Sequence, residues 1–90
     1  MSNEREKIVW QRLQEIFRIV FENPKLDIMS EWSSWDVTGW DSLMHLQLIL
    51  AIEKEFGIRF KPPEMLDLKN IGELYAIILK KHSAIDGEKP

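Results

Sequence analysis

The stretch "TGWDSLMHLQLILAIEKEFGIRF", residues 38–60, carries more apolar residues than one buried helix face requires. A helix at a protein surface normally has a single apolar stripe along its length. Successive residues of a helix are rotated by about 100°, which places four strongly apolar residues on one arc: Leu48, Ile49, Ile52 and Phe56. This arc is predicted to face the core of the protein.

A second group of leucines lies on the opposite side of the same helix. Its members are Leu43, Leu46 and Leu50, which share that side with Gln47 and Lys54, while Ser42 and Glu53 lie at its edge. We expect Leu43 and Leu50 to be exposed, whereas the spacing leaves open whether the preceding loop covers Leu46. Exposed apolar residues on a helix usually mark a surface for a partner protein.

The helix begins at Ser42, directly after Asp41. The first N–H groups of a helix lack partners within the helix, and together with the helix dipole they favour an anion such as a phosphate ester. Ser and Asp are also among the commonest N-caps. Residue type and position alone favour a simple cap over an anion site.

Three further helices are predicted around this one. Apolar residues recur at helical spacing from Ile8 or Val9 to Phe21, and the helix ends at Asn23-Pro24, because the residue before proline is disfavoured in the α region. Pro62 or Pro63 is expected to open a short third helix, since proline suits the first turn, and that helix runs to Leu66 or Asp67.

The last helix is predicted to begin at Asn70, after the second has ended at Gly57. Its buried stripe consists of Ile71, Leu74, Tyr75, Ile77 and Ile78. The sequence contains no strong strand pattern. The predicted fold class is therefore all-α, a four-helix bundle with three main helices, a short third helix and a long first loop.

Residues 22–41 form that long connection, which contains Trp32, Trp35 and Trp40. Ordered connections of this length tend to be functional. We expect Ile28 and Trp35 to cover one end of the core. The predicted domain comprises residues 1–82, and residues 83–90 are expected to form a flexible C-terminal tail.

Composition excludes several classes of function. The chain has 90 residues and no cysteine, which rules out disulfides and thiolate metal sites, so any thiol chemistry must come with a cofactor. A net charge of −3 without a basic cluster argues against nucleic acid as a partner. No apolar run could span a bilayer and the N-terminus lacks the order of a signal peptide, so we expect a cytoplasmic monomer that binds neither a metal nor a membrane.

The residues "GWDSL", followed by "LQLILAIEKEFGIRF", resemble an acyl carrier protein. Asp41, Ser42 and Leu43 match the Asp-Ser-Leu at the start of that family's second helix, and "AIEKEFGI" matches the acidic stretch and Phe at its end. The segments "PPEMLDL" and "NIGELYAIILKK" correspond to its third and fourth helices. The resemblance covers nearly the whole chain and is weakest in the first loop.

The resemblance implies that Ser42 is the attachment point for 4′-phosphopantetheine, which a phosphopantetheinyl transferase delivers from coenzyme A. The terminal thiol of this cofactor would carry an acyl group as a thioester, and Asp41 would be recognised by the transferase. The implied partners are that transferase and the enzymes that load, transfer or condense the acyl group. The predicted partner surface contains Trp40, Leu43, Met44, His45, Leu46, Gln47, Leu50 and Glu53.

The chain departs from the family pattern just after the serine. General fatty-acid carriers have carboxylates there that meet basic partner surfaces, but this chain has Met44, His45 and Gln47. Charge complementarity mainly sets the association rate and the choice of partner. We therefore predict a carrier for a specialised lipid, polyketide or related pathway, in which His45 faces a partner or solvent.

Other functions are less consistent with the residues. "WDSLMH" places Asp41, Ser42 and His45 together, as in a hydrolase, but there is no Gly-x-Ser-x-Gly turn and no strand before the serine, so the chain is predicted not to be an enzyme. A carrier of aminoacyl or peptidyl groups remains an alternative, because the loading enzyme chooses the cargo. An unmodified helical interaction domain, in which Ser42 only caps, is the alternative of another class.

Overall fold

Four α-helices make up the fold in a computed structural model, which describes residues 2–34 and 36–87 and the side chains of residues 4–34 and 36–82. The helices are α1 (Ser2–Val20), α2 (Ser42–Phe56), α3 (Pro62–Leu66) and α4 (Ile71–Gly87). The described residues contain no β-strand. The predicted all-α bundle with a short third helix and a long first loop is confirmed.

Glycine ends α2 as predicted. Gly57 adopts a left-handed backbone conformation with φ 66° and ψ 34°, and its N–H donates to the Glu53 carbonyl oxygen at 2.8 Å. A residue with a Cβ would be strained in this conformation. The bend directs the chain away from α2 and towards α3.

The end of α4 lies beyond the predicted domain boundary. The helix continues to Gly87, so the backbone of residues 83–87 is helical, while residues 88–90 lie outside the described residues. The boundary at residue 82 and the flexibility of the tail stay predictions.

The core lies where α1, α2 and α4 meet. The side chains with the least exposure are Leu13, Phe17, Leu48, Ile49, Ile52, Ile71, Leu74 and Ile78. All four residues predicted for the inner face of α2 are buried, which confirms the assignment of that face. Ile28 from the first loop is also buried against this core, as expected, whereas Trp35 lies outside the described residues.

The first loop is tied to the start of α4. The Trp32 carbonyl oxygen accepts from the Ile71 N–H at 2.8 Å, and the Ser30 carbonyl oxygen accepts from the Gly72 N–H at 2.7 Å. These N–H groups belong to the helix's first turn, where no partner exists within the helix. A Cβ on Gly72 would lie 3.1 Å from the Ser30 oxygen, so a side chain at this position would push the loop away by a few tenths of an ångström. The loop is thereby held across the bundle and brings Trp40 to the start of α2.

Candidate functional site

Asp41 is the N-cap of α2. Its backbone is extended, with φ −107° and ψ −171°, and its Oδ1 atom accepts from the Met44 N–H at 2.9 Å. Its carbonyl oxygen accepts from the His45 N–H at 2.8 Å. Ser42 is exposed, and among the described residues no group is hydrogen-bonded to its hydroxyl. The cap is therefore the aspartate, and the serine hydroxyl is free at the first turn of the helix.

An open cavity of about 410 Å³ lies beside this serine. Its walls come from the end of the first loop, from α2, from α3 and from the start of α4. The lining residues are Ser33, Ser34, Trp40, Asp41, Ser42, His45, Leu46, Ile49, Met65, Leu66, Leu68, Lys69, Asn70 and Leu74. The volume falls in the range of cavities that hold small molecules, and several of the walls are apolar.

His45 and Trp40 connect the walls of this cavity. The Trp40 Nε1–H donates to His45 Nδ1 at 3.0 Å, and His45 Nε2 lies 2.8 Å from the Met65 carbonyl oxygen. The two rings stack with their centroids 5.9 Å apart, and Trp40 also packs edge-on against Phe17 of α1 and against Phe21, which directly follows that helix. Both ring nitrogens of His45 thus have partners within the protein, whereas the sequence led us to expect a residue that faces a partner or solvent.

The second stripe of α2 is exposed. Leu43 is 63% exposed, Leu46 48% and Leu50 55%. The exposure expected for Leu43 and Leu50 is confirmed, and the question left open for Leu46 is decided, because the first loop does not cover it. Their contact with partner enzymes stays a prediction.

Leu66 of α3 was missed by the sequence reasoning, although it is 76% exposed and lines the same cavity. A signal was present, because Met65 and Leu66 are adjacent in a helix of five residues and adjacent residues of a helix cannot face the same side. Met65 packs on the core and Leu66 faces out.

The carboxylates of α2 are engaged in contacts within the protein. Glu53 Oε2 accepts from the Phe60 N–H at 2.8 Å, and Glu55 forms an ion pair with Arg12 of α1. Gln47 is exposed, while Met44 is half-buried. Of the predicted partner residues, Glu53 has a clear structural role, which is to hold the segment between α2 and α3.

Helix α3 is held by charged contacts. Glu64 Oε1 accepts from the Lys61 N–H at 2.7 Å and lies 2.9 Å from the Lys81 ammonium of α4. The hydrogen bond from the Lys61 backbone, with the contribution of Lys81, holds the pKa of the Glu64 carboxyl below its ordinary value. The charged form of Glu64 therefore stabilises the placement of α3.

No helix among the described residues is long and apolar enough to cross a bilayer. Within the same residues, no group of three or more His, Cys, Asp or Glu side chains is arranged to hold a metal ion.

Comparison with known proteins agrees with this geometry. The sequence model of the family described as "Phosphopantetheine attachment site" matches residues 11–78. An acyl carrier protein from Acidothermus cellulolyticus is 33% identical over 73 residues, covering 81% of this chain and 86% of that protein. The solution NMR structure of the holo acyl carrier protein from Geobacter metallireducens superimposes with a TM-score of 0.83 at 33% identity, covering 91% of this chain and 94% of that one.

The class of protein is thus a small helical carrier that holds a covalent group. The chain belongs to the phosphopantetheine attachment site family, as an acyl carrier protein. It is a carrier and not an enzyme, and its cofactor is covalent phosphopantetheine. At the general level its partners are a phosphopantetheinyl transferase and enzymes that handle acyl groups.

Proposed function

We propose that Ser42 is the attachment point of the cofactor, and that the protein presents an acyl group to the enzymes of a specialised lipid, polyketide or related pathway. The observation that carries this proposal is the division of roles at the start of α2. Asp41 caps the helix, so the hydroxyl of Ser42 is exposed and free to accept the phosphoryl group.

The surroundings of Ser42 fit a phosphopantetheine arm. The phosphodiester would lie at the positive end of α2, where the N–H groups of Ser42 and Leu43 have no acceptor one turn earlier in the helix. The cavity beside Ser42 offers apolar walls at Leu46, Ile49 and Leu74 to whatever part of the arm or cargo enters it. When bound, the group supplies a flexible thiol on which an acyl chain is carried as a thioester.

Attachment can be tested by intact-mass analysis. The protein is incubated with coenzyme A and a broad-specificity phosphopantetheinyl transferase, and we expect a gain of one phosphopantetheine unit. Ser42→Ala should abolish the gain. Ser34→Ala is the matched control, because Ser34 is exposed and lines the same cavity, and it should leave the gain unchanged. The absence of a gain with several transferases would overturn the proposal.

Partner enzymes are proposed to dock on the exposed leucines of α2. Leu43, Leu46 and Leu50 lie on one side of that helix and Leu66 extends the apolar surface onto α3. Trp40, Met44, His45, Gln47 and Glu53 were predicted to belong to this surface as well. Of these, Gln47 is exposed and available, while Trp40 and His45 would contribute only the parts of their rings that remain accessible.

The charge of α2 supports a specialised pathway. Its first turn contains no acidic residue, and both of its carboxylates, Glu53 and Glu55, are engaged elsewhere in the protein. A partner with a strongly basic docking surface would find little to pair with on this helix. A cytoplasmic, monomeric state is proposed with this role. An aminoacyl or peptidyl cargo is a second possibility that no observation on the site favours.

A further inference from the structure

His45 is placed where three parts of the molecule meet. It is half-buried on α2, it stacks on Trp40 from the end of the first loop, and it reaches the backbone of Met65 in α3 across 20 residues of sequence. The same ring lines the cavity beside Ser42. These contacts make it a link between the walls of that cavity.

The two hydrogen bonds give each ring nitrogen a different role. An indole N–H can only donate and a backbone carbonyl can only accept. His45 Nδ1 therefore accepts from Trp40, and Nε2 donates to the Met65 carbonyl oxygen. Both polar atoms of the ring are used.

Helix α3 depends on few other contacts. It has five residues and none of them is fully buried. Met65 packs partly on the core, and among the described residues the polar contacts that reach α3 from the other helices are the hydrogen bond from His45 and the ion pair between Glu64 and Lys81. A short helix held in this way opens more easily than the three main helices.

We propose that His45 is a positioning residue that holds α3 and Trp40 against α2, and that it thereby limits which apolar chains enter the cavity beside Ser42. The proposal rests on the proposed function, because the apolar chain that enters the cavity is the acyl cargo tethered to Ser42. With the ring in place, Met65 and Trp40 close the cavity from two sides. Without it, α3 moves away and the cavity accepts longer or bulkier chains.

The two hydrogen bonds can be separated by substitution in the unmodified protein. The amide oxygen of Asn can replace Nδ1, and the amide nitrogen of Gln can replace Nε2. The indole N–H resonance of Trp40, assigned by its loss in Trp40→Phe, should keep its position in His45→Asn and shift in His45→Gln. Amide exchange at Met65 and Asp67 should accelerate about tenfold in His45→Asn and His45→Ala, since one hydrogen bond is lost, and much less in His45→Gln.

Exchange at Leu13 and Ile78 in the core provides the reference. A uniform acceleration there would mean general destabilisation and would overturn the positioning role. Unchanged exchange at Met65 in His45→Ala, or an unchanged Trp40 resonance in His45→Gln, would overturn it as well. The Asn and Gln variants keep the test decisive if His45→Ala does not fold.

The effect of His45 on the length of acyl chain that enters the cavity is tested on the protein that carries acyl-phosphopantetheine on Ser42. The transferase is given acyl-coenzyme A substrates of increasing chain length, and the methyl resonances of Ile49 and Leu74 are followed. The change in these methyl chemical shifts should grow with acyl-chain length and then level off. In the unsubstituted protein it should level off at a shorter acyl chain than in His45→Ala, and His45→Gln should level off close to the unsubstituted protein. The same limit in all variants would overturn the selecting role. If no acyl-phosphopantetheine group becomes attached to the protein, the proposed function itself is overturned. The measurements of the Trp40 indole resonance and of amide exchange would still decide whether His45 holds α3.

Discussion

At the scale of single residues, Asp41 and Ser42 have different roles at the start of α2. The Asp41 carboxylate accepts from the Met44 N–H and completes the first turn of the helix. Ser42 follows with an exposed hydroxyl. An aspartate before the serine therefore has a structural reason to be there, in addition to any recognition by a transferase.

Substitutions at Asp41 should separate the cap from the charge. Asp41→Ala removes the acceptor and should lower the free energy of unfolding by about 1 kcal/mol. Asp41→Asn keeps a cap of similar strength and should change it little. Urea unfolding measures both, and equal destabilisation by the two variants would show that charge, and not the hydrogen bond, stabilises the helix start.

The rate of modification tests recognition in the same pair of variants. If the transferase reads the negative charge of Asp41, Asp41→Asn should be modified more slowly than the unsubstituted protein despite its retained stability. The time course of the mass gain at Ser42 is the measurement. An unchanged rate in Asp41→Asn would restrict Asp41 to capping.

At the scale of elements, α2 has one face for the core and another for solvent. Ile52 is fully buried, whereas Leu50, two residues earlier, is 55% exposed. The rotation of about 200° between them places the two side chains on opposite sides of the helix. This explains why a soluble helix carries so many leucines.

The two faces should respond differently to the same charge. Ile52→Glu buries an unpaired carboxylate and should cost about 5 kcal/mol, close to the whole stability of a small domain. Leu50→Glu should change the stability by about 0.5 kcal/mol or less. Circular dichroism during urea unfolding distinguishes the two outcomes. Unfolding by Leu50→Glu would contradict the assignment of the faces.

Partner docking is tested with the folded variant. Leu50→Glu should slow loading of cargo by the partner enzyme, because an apolar anchor is lost. Ile19→Glu introduces the same charge on α1, where Ile19 is 75% exposed, and should leave loading unchanged. Equal loading of both variants would exclude Leu50 from the docking surface.

Helix α3 should be sensitive to acid through Glu64. Its carboxyl pKa lies below the ordinary value, chiefly because of the hydrogen bond from the Lys61 backbone. The stabilisation is thus complete above the unfolded-state pKa of about 4.3 and is lost as the pH falls through the lower folded-state pKa. Carbon NMR of the carboxyl should give this lowered pKa, and Lys81→Gln should raise it in part. A titration at the ordinary value would contradict the contacts at α3.

At the scale of the whole molecule, the positions of the charged side chains determine which charges remain available to a partner. Arg12 and Glu55 join α1 to α2, and Lys81 and Glu64 join α4 to α3. These pairs use charge to hold helices together. The side of α2 that carries the exposed leucines has no acidic residue in its first turn.

Association with partner enzymes should therefore depend only weakly on salt. Salt has little effect on contacts made mainly by apolar side chains, whereas it would screen the attraction between carboxylates and a basic surface. Met44→Glu with Gln47→Glu should increase binding to a general fatty-acid enzyme with a basic docking surface and make that binding sensitive to salt. Gln11→Glu with Met29→Glu introduces the same two charges at exposed positions outside α2 and is the control. A strong salt dependence in the unsubstituted protein would contradict the prediction.

The order of the helices and the inner face of α2 were predictable from the sequence. Gly57 and Pro62 mark helix boundaries, because glycine tolerates the left-handed backbone that ends α2 and the fixed φ of proline suits the first turn of α3. The arc from Leu48 to Phe56 follows from the geometry of a single helix. The placement of Ser42 at the first turn is likewise a local property.

Only the tertiary structure decided how the side chains around that serine are used. His45 meets Met65 across 20 residues of sequence, and Glu55 meets Arg12 across 43. The exposure of Leu46 depended on the path of the first loop, which is held by its hydrogen bonds to α4. Helical spacing indicates the side of a helix on which a residue lies, but the atom it meets there is contributed by another part of the chain, and packing alone brings the two together.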